Sequence, residues 1–186
     1  MLSRKGLRIE STDSLTLLGF RFSNRPTVSA HMQLIRDKFN ARSWMIRHLK
    51  RAGVPDGDLI GVYTSTIRSV LEYASCVYTP MLTQGDDEML ERLQGRVLKT
   101  IFGYHTSYRE ALEKSGLQSL KERRNLSLKK FTEKTVANPR FDDWFPTHRP
   151  YAYEIRQKKS YEEFHANTDR LFKSPLYAMR RHLNSD

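Results

Sequence analysis

The chain has 186 residues, 38% of them apolar and 28% charged, and a net charge of +11. This length and apolar content allow a buried core and exclude a low-complexity chain, and no stretch approaches the roughly twenty apolar residues that a membrane-spanning helix needs. The cationic surplus points to a polyanionic partner, nucleic acid ahead of a membrane surface.

The charge is uneven: net +8 over residues 1–52, −3 over 53–103, +4 over 104–138 and +2 over 139–186. The first ten residues hold Arg4, Lys5 and Arg8 without an apolar run, so no secretory leader is expected. The single Cys76 can form neither an intrachain disulfide nor a zinc site by itself, which fits a reducing intracellular compartment, nucleus or cytoplasm.

In chain order, Lys5–Glu10 and Thr16–Phe22 are short strand-like runs separated by the turn-prone Ser11-Thr12-Asp13-Ser14. A lone hairpin is marginal in water, so these runs are expected to belong to a larger sheet. From Thr27 the pattern is helical. Val28, Met32, Ile35, Phe39, Ile46 and Leu49 fall three, four or seven apart, with Pro26 before them and Gly53 after. The opposite stripe reads Arg36, Asn40, Ser43, Arg47 and Lys50, with Lys38, Arg42 and Arg51 on its flanks. A second, more buried helix is expected from Pro55–Asp58 to about Tyr78, on Leu59, Tyr63, Ile67, Val70, Ala74 and Val77, ended by Pro80. Three capping signals follow: Thr83 with Asp86, Ser107 with Glu110, and Ser119 with Glu122. They open helices closed by Gly103, by Gly116 and by Asn138-Pro139.

The expected fold is therefore mainly α. A bundle of about five helices (25–138) is preceded by a short β-hairpin (1–24). An aromatic turn and a basic, loosely ordered tail (139–186) follow, in which Ser174-Pro175 can start one last helix.

Catalytic signatures are sparse. Asp86-Asp87 and Asp142-Asp143 are of the type that ligates magnesium, but the first pair sits in a helix's first turn, where negative charge is favoured anyway, and the second follows Asn-Pro in a turn. His31, His48, His105, His148, His165 and His182 are scattered, with no zinc-hydrolase spacing. Cys76 lies in an apolar helix without a nominated base and reads as a small core residue. The cationic face of the first helix is the strongest functional signal, since a row of Arg and Lys at helical spacing can follow a phosphate backbone. The candidate contacts are Arg36, Lys38, Arg42, Arg47, Lys50 and Arg51, with a second group on the fifth helix that includes Arg123 and Arg124. Trp44, between the two stripes, is expected in the core rather than stacked on a base, and Trp144 is expected to staple the aromatic turn to the bundle.

Several blocks occur in a recognisable order: Leu17-Leu18-Gly19-Phe20, then His48-Leu49-Lys50-Arg51-Ala52-Gly53-Val54, then Ile67-Arg68-Ser69-Val70-Leu71-Glu72-Tyr73-Ala74. After these come Leu90-Glu91-Arg92-Leu93-Gln94 and Gly116-Leu117-x-Ser119-Leu120-x-Glu122-Arg123-Arg124. From residue 17 to about 146 the chain resembles the carboxy-terminal part of reverse transcriptases of non-LTR retrotransposons (LINE-type, jockey-like). The resemblance implies the last palm strands followed by a thumb that grips an RNA–DNA hybrid or other duplex through its phosphates, with the palm and fingers as further partners. It places magnesium only in the intact polymerase, held partly by a Tyr-x-Asp-Asp turn that this sequence lacks. The expectation is a retroelement fragment that starts inside the palm, binds nucleic acid without a membrane role, holds no cofactor and catalyses nothing by itself. The alternatives are a stand-alone helical protein-interaction module or a remnant without function.

Overall fold

The computed structural model describes residues 3–4, 7–8, 12–24, 27–147, 160–162 and 165–185. Two antiparallel ribbons come first: β1 (Ser3–Arg4) with β2 (Leu7–Arg8), and β3 (Ser14–Leu17) with β4 (Phe20–Ser23). The strand run expected over Thr16–Phe22 is in fact most of the second hairpin, whose tight turn falls at Leu18-Gly19 and not at Ser11–Ser14. Both turn residues have positive φ, 48° and 78°, the combination whose twist suits a two-residue hairpin. Of the other expected strand, Lys5–Glu10, only Leu7 and Arg8 are among the described residues.

The helices are α1 (Ser29–Arg51), α2 (Asp56–Val62), a π-helical segment Tyr63–Arg68, α3 (Ser69–Glu72), α4 (Ser75–Tyr78), α5 (Gln84–Phe102), α6 (Tyr108–Ser115) and α7 (Leu120–Val136). A 3-10 segment Pro139–Trp144 and the helices α8 (Asp169–Phe172) and α9 (Pro175–Leu183) complete the order. The mainly helical fold read from periodicity is the observed one. Met32, Ile35, Phe39 and Ile46 of α1 face Leu59, Tyr63 and Ile67 and the full stripe Met89, Leu90, Leu93, Val97 and Ile101 of α5 in one core. Phe20 of β4 is buried in that core, its ring centroid 4.2 Å from that of His31 and tilted against it, so the hairpin and the bundle share a packed interior.

All three capping signals are reciprocal capping boxes, on Thr83/Asp86, Ser107/Glu110 and Ser119/Glu122. The second helix differs from its expected form. It does not run unbroken to Tyr78: Tyr73 turns extended and Ala74 takes a left-handed φ of 56° before α4 begins. Two tyrosines hold this break. The Tyr78 hydroxyl donates to the Leu71 carbonyl, which the helix end has orphaned, and the Tyr73 hydroxyl donates to the Leu18 carbonyl of the hairpin turn. A side chain in the left-handed region costs roughly 1–2 kcal/mol, partly offset by the backbone entropy a glycine would lose. Ala74→Gly is therefore expected to raise stability by up to about 1 kcal/mol, read as a higher urea midpoint at unchanged slope.

A buried chain of hydrogen bonds ties the elements together. The Tyr63 hydroxyl donates to Gln94 Oε1 at 2.6 Å, and Gln94 Nε2 donates to the Tyr108 hydroxyl at 3.0 Å and to the Gln118 carbonyl at 3.1 Å. Tyr108 in turn donates to Glu91, which also accepts the Lys121 amide at the start of α7 at 2.7 Å. Burial pushes the Tyr63 phenol far up, so it stays protonated and donating.

In the carboxy-terminal segment, expected to be loosely ordered, α9 does start at Ser174-Pro175 and packs on α7 with Met179 and Arg180 buried. Residues 148–159 of that segment lie outside the described residues. The aromatic turn is fastened differently from the expectation. The Trp144 ring is half exposed, and the fastening is made by its carbonyl, which accepts Arg180 Nε at 2.8 Å while Arg180 Nη1 donates to the Glu162 carbonyl at 3.1 Å. Among the described residues no helix is long and apolar enough to cross a membrane.

Candidate nucleic-acid interface

Arg36, Lys38, Arg42, Arg47, Lys50 and Arg51 all lie exposed on α1, as their spacing predicts, but they do not form one face opposite the core. At about 100° per residue, Arg36, Asn40, Arg47 and Arg51 fall along one flank of the buried stripe. Lys38 and Arg42 fall along the other. The outermost strip between them carries Asp37, Trp44 and His48. Ser43, expected on the polar face, is buried and donates to the Asn40 carbonyl at 3.3 Å. The reason is that α1 is packed by α5 on one side and by the π segment and α3 on the other, so its apolar contact is wider than one stripe.

The flank on the α5 side is extended by a second helix. Arg96 of α5 lies over the Phe39 ring, 5.7 Å from its centroid, with Nη1 3.4 Å from Asn40 Oδ1. Arg92 and Lys99 share the exposed stripe of α5 with Arg96, at spacings of four and three. The exposed row Arg36, Arg47 and Arg51 of α1 and the exposed row Arg92, Arg96 and Lys99 of α5 meet at Asn40 and Arg96 in a cationic seam. No ion pair among the described residues involves any of the six. The α5 cations had a readable signal in their helical spacing, hidden by the net −3 charge of their segment.

The remaining α1 cations are more committed. Lys50 pairs with Asp56 at 2.6 Å. Arg42 donates to the Thr66 carbonyl of the π segment at 3.2 Å, so it also holds that segment against α1. Lys38 and Arg42 line a groove of about 330 Å³ between α1, α3 and the hairpin turn, walled by Leu34, Val70 and Tyr73.

Of the two α7 candidates, Arg124 is corrected and Arg123 is engaged in an ion pair. Arg124 is 1% exposed, its Nη2 paired with Asp87 and its Nε and Nη1 buried without hydrogen-bond partners. Arg123 holds Glu72 in a two-point fork, one arm Nη2 to Oε2 at 3.0 Å. The Arg124 guanidinium is spent inside the molecule, whereas that of Arg123, its side chain still about a third exposed, is engaged by Glu72 at the surface. Elsewhere on α7, Lys121 and Lys130 are exposed.

The carboxylates of the first aspartate pair are already engaged. The Asp86 carboxylate accepts from the Thr83 amide at 3.0 Å in its capping box, and Asp87 is taken by Arg124. Asp142 and Asp143 are exposed in the 3-10 segment. Cys76 donates to the Ser127 carbonyl at 3.6 Å, and burial pushes its thiol pKa up, away from a nucleophilic thiolate. His31 is buried in the core with its pKa pulled down to about 4 by burial and by Lys38 and Arg21, so it is neutral at pH 7 and its Nδ1 accepts the Arg21 amide. Trp44, expected in the core, is 51% exposed and rests edge-on against His48 at 5.0 Å, because it falls on the outer strip of α1.

No family model, curated protein or solved structure matches this chain.

Proposed function

We propose that this chain binds duplex nucleic acid through phosphates along the α1–α5 seam, as the thumb-like part of a non-LTR retroelement reverse transcriptase. The observation that carries this reading is the division of labour among the arginines. Arg124 is neutralised inside the molecule and Arg123 is paired with Glu72, whereas Arg36, Arg47, Arg51, Arg92 and Arg96 lie outward along two packed helices with no acidic partner among the described residues. From Arg36 to Arg51 α1 rises about 22 Å. A surface of that length passes several phosphates of one strand, which follow each other at about 3.4 Å along the axis. Asn40, between the two rows, adds a hydrogen-bonding group to the seam. The proposal assigns the chain no polymerase step, which would need the palm aspartates that this sequence does not contain as a Tyr-x-Asp-Asp turn.

The test is binding of the full chain to an RNA–DNA hybrid across a salt series. With four to six phosphates neutralised, log affinity is expected to fall against log salt with a slope between about −3.5 and −5.5, independent of base sequence. Absence of binding at low salt by a folded sample, or a slope shallower than about −1, rejects the seam as a phosphate grip.

A further inference from the structure

We infer that the groove between α7, the Pro139–Trp144 segment and α9 is a ligand site for an apolar chain or ring carrying one anionic headgroup, such as a long-chain carboxylate. This inference is independent of the seam and lies at the other end of the sequence. The groove is open on one side, has a volume of about 620 Å³ and is lined by Phe131, Phe141, Trp144, Leu176 and Met179 together with Lys134. That volume, and walls of aromatic and aliphatic side chains with few polar groups, are those of sites that hold a small organic ligand.

Most polar oxygens of the lining are engaged within the chain. Thr135 Oγ1 donates to the Phe131 carbonyl at 2.7 Å, Asn138 Oδ1 accepts the Arg140 amide at 3.1 Å, and Ser174 Oγ accepts the Tyr177 amide at 3.3 Å. The Lys134 ammonium, exposed at the rim, is the charged group of the lining, and Lys130 stands one helical turn before it on α7. An ammonium group in the lining of an apolar groove favours a negative head on a greasy body over a cationic one. The two ring walls, Phe131 and Trp144, are half exposed, so a ligand that covers them removes apolar surface from water, the main favourable contribution to its binding.

The groove carries its own reporter, since Trp144 is one of two tryptophans in the chain. In a Trp44→Phe background, dodecanoate titrated below its micellar range is expected to change Trp144 emission saturably, with one ligand per chain. Dodecyltrimethylammonium, of the same chain length, is expected to bind at least tenfold more weakly. Lys134→Glu, a surface change that leaves the fold intact by circular dichroism, should reduce or reverse that preference. Phe131→Ser should weaken both amphiphiles together. A non-saturable response, or equal binding of the two amphiphiles unchanged by Lys134→Glu, overturns the assignment.

Discussion

An Asp87→Ala chain is expected to lose about 3 kcal/mol or more of stability, because it leaves the Arg124 guanidinium buried with no counter-charge. The energetic logic is asymmetric. Bringing a charge into the interior is costly, and the attraction of a partner offsets that cost only when the rest of the group is also satisfied. Here two further Arg124 nitrogens, Nε and Nη1, already lack partners. Arg124→Met, which removes the charge and keeps most of the volume, is therefore expected to cost less than about 1 kcal/mol or to stabilise. The double variant should recover most of what Asp87→Ala loses, since the two sites share one interaction. Urea unfolding of the three chains decides it. A domain of this kind has only about 5–15 kcal/mol in total, so the effect is large on that scale. Arg124→Met proving the more damaging single change would mean that the pair is a net source of stability and not a paired burden.

Much of this fold was legible because its signals are local. A capping box needs two residues three apart, and all three boxes read from sequence are formed. The α5 stripe from Met89 to Ile101 repeats at helical spacing and is buried throughout. What was not legible depends on partners distant in sequence. Nothing near Arg124 marks it as internal, because its carboxylate is 37 positions away on α5. The break at Ala74 is held by the Tyr73 hydroxyl on a carbonyl 55 positions earlier, and an isolated helical pattern carries no trace of that bond. The cationic face of α1 was visible, but its division into two flanks was not, since that follows from which helices pack beside it. The α5 half of the seam went unread for a related reason. Summed charge over residues 53–103 is negative, although most of its seven acids are taken up in caps or by partners on other elements. Asp86 caps α5, Asp87 meets Arg124, Glu72 meets Arg123 and Glu91 receives the start of α7. Net charge per segment averages over the distinction that matters for binding, namely which charges are already answered inside the molecule.

That distinction leads to the sharpest functional prediction. Reversing Arg36, Arg47 and Arg96 to Glu is expected to weaken hybrid binding by about three orders of magnitude near 0.1 M salt and to make the salt slope shallower by about 2.7. The estimate follows from counterion release, in which each lost phosphate contact removes about 0.9 from the slope and nearly tenfold in affinity at that salt; repulsion from the new carboxylates deepens the loss. Net charge alone would also weaken binding, so the comparison needs a control of equal charge change. Lys130, Lys134 and Arg140, exposed on the distal half of α7 and the turn beyond it, serve when reversed together. That control shares the lowered net charge but leaves the seam whole, and it is expected to lose less than about tenfold, with a slope changed by less than one. The three seam positions are exposed and outside every ion pair among the described residues. Arg96 gives up its place over Phe39 and its bond to Asn40, so reversal is expected to lower stability by about 1 kcal/mol with the fold retained. Equal losses in the seam variant and the control would show that binding follows overall charge, and that the alignment of α1 with α5 contributes no grip of its own.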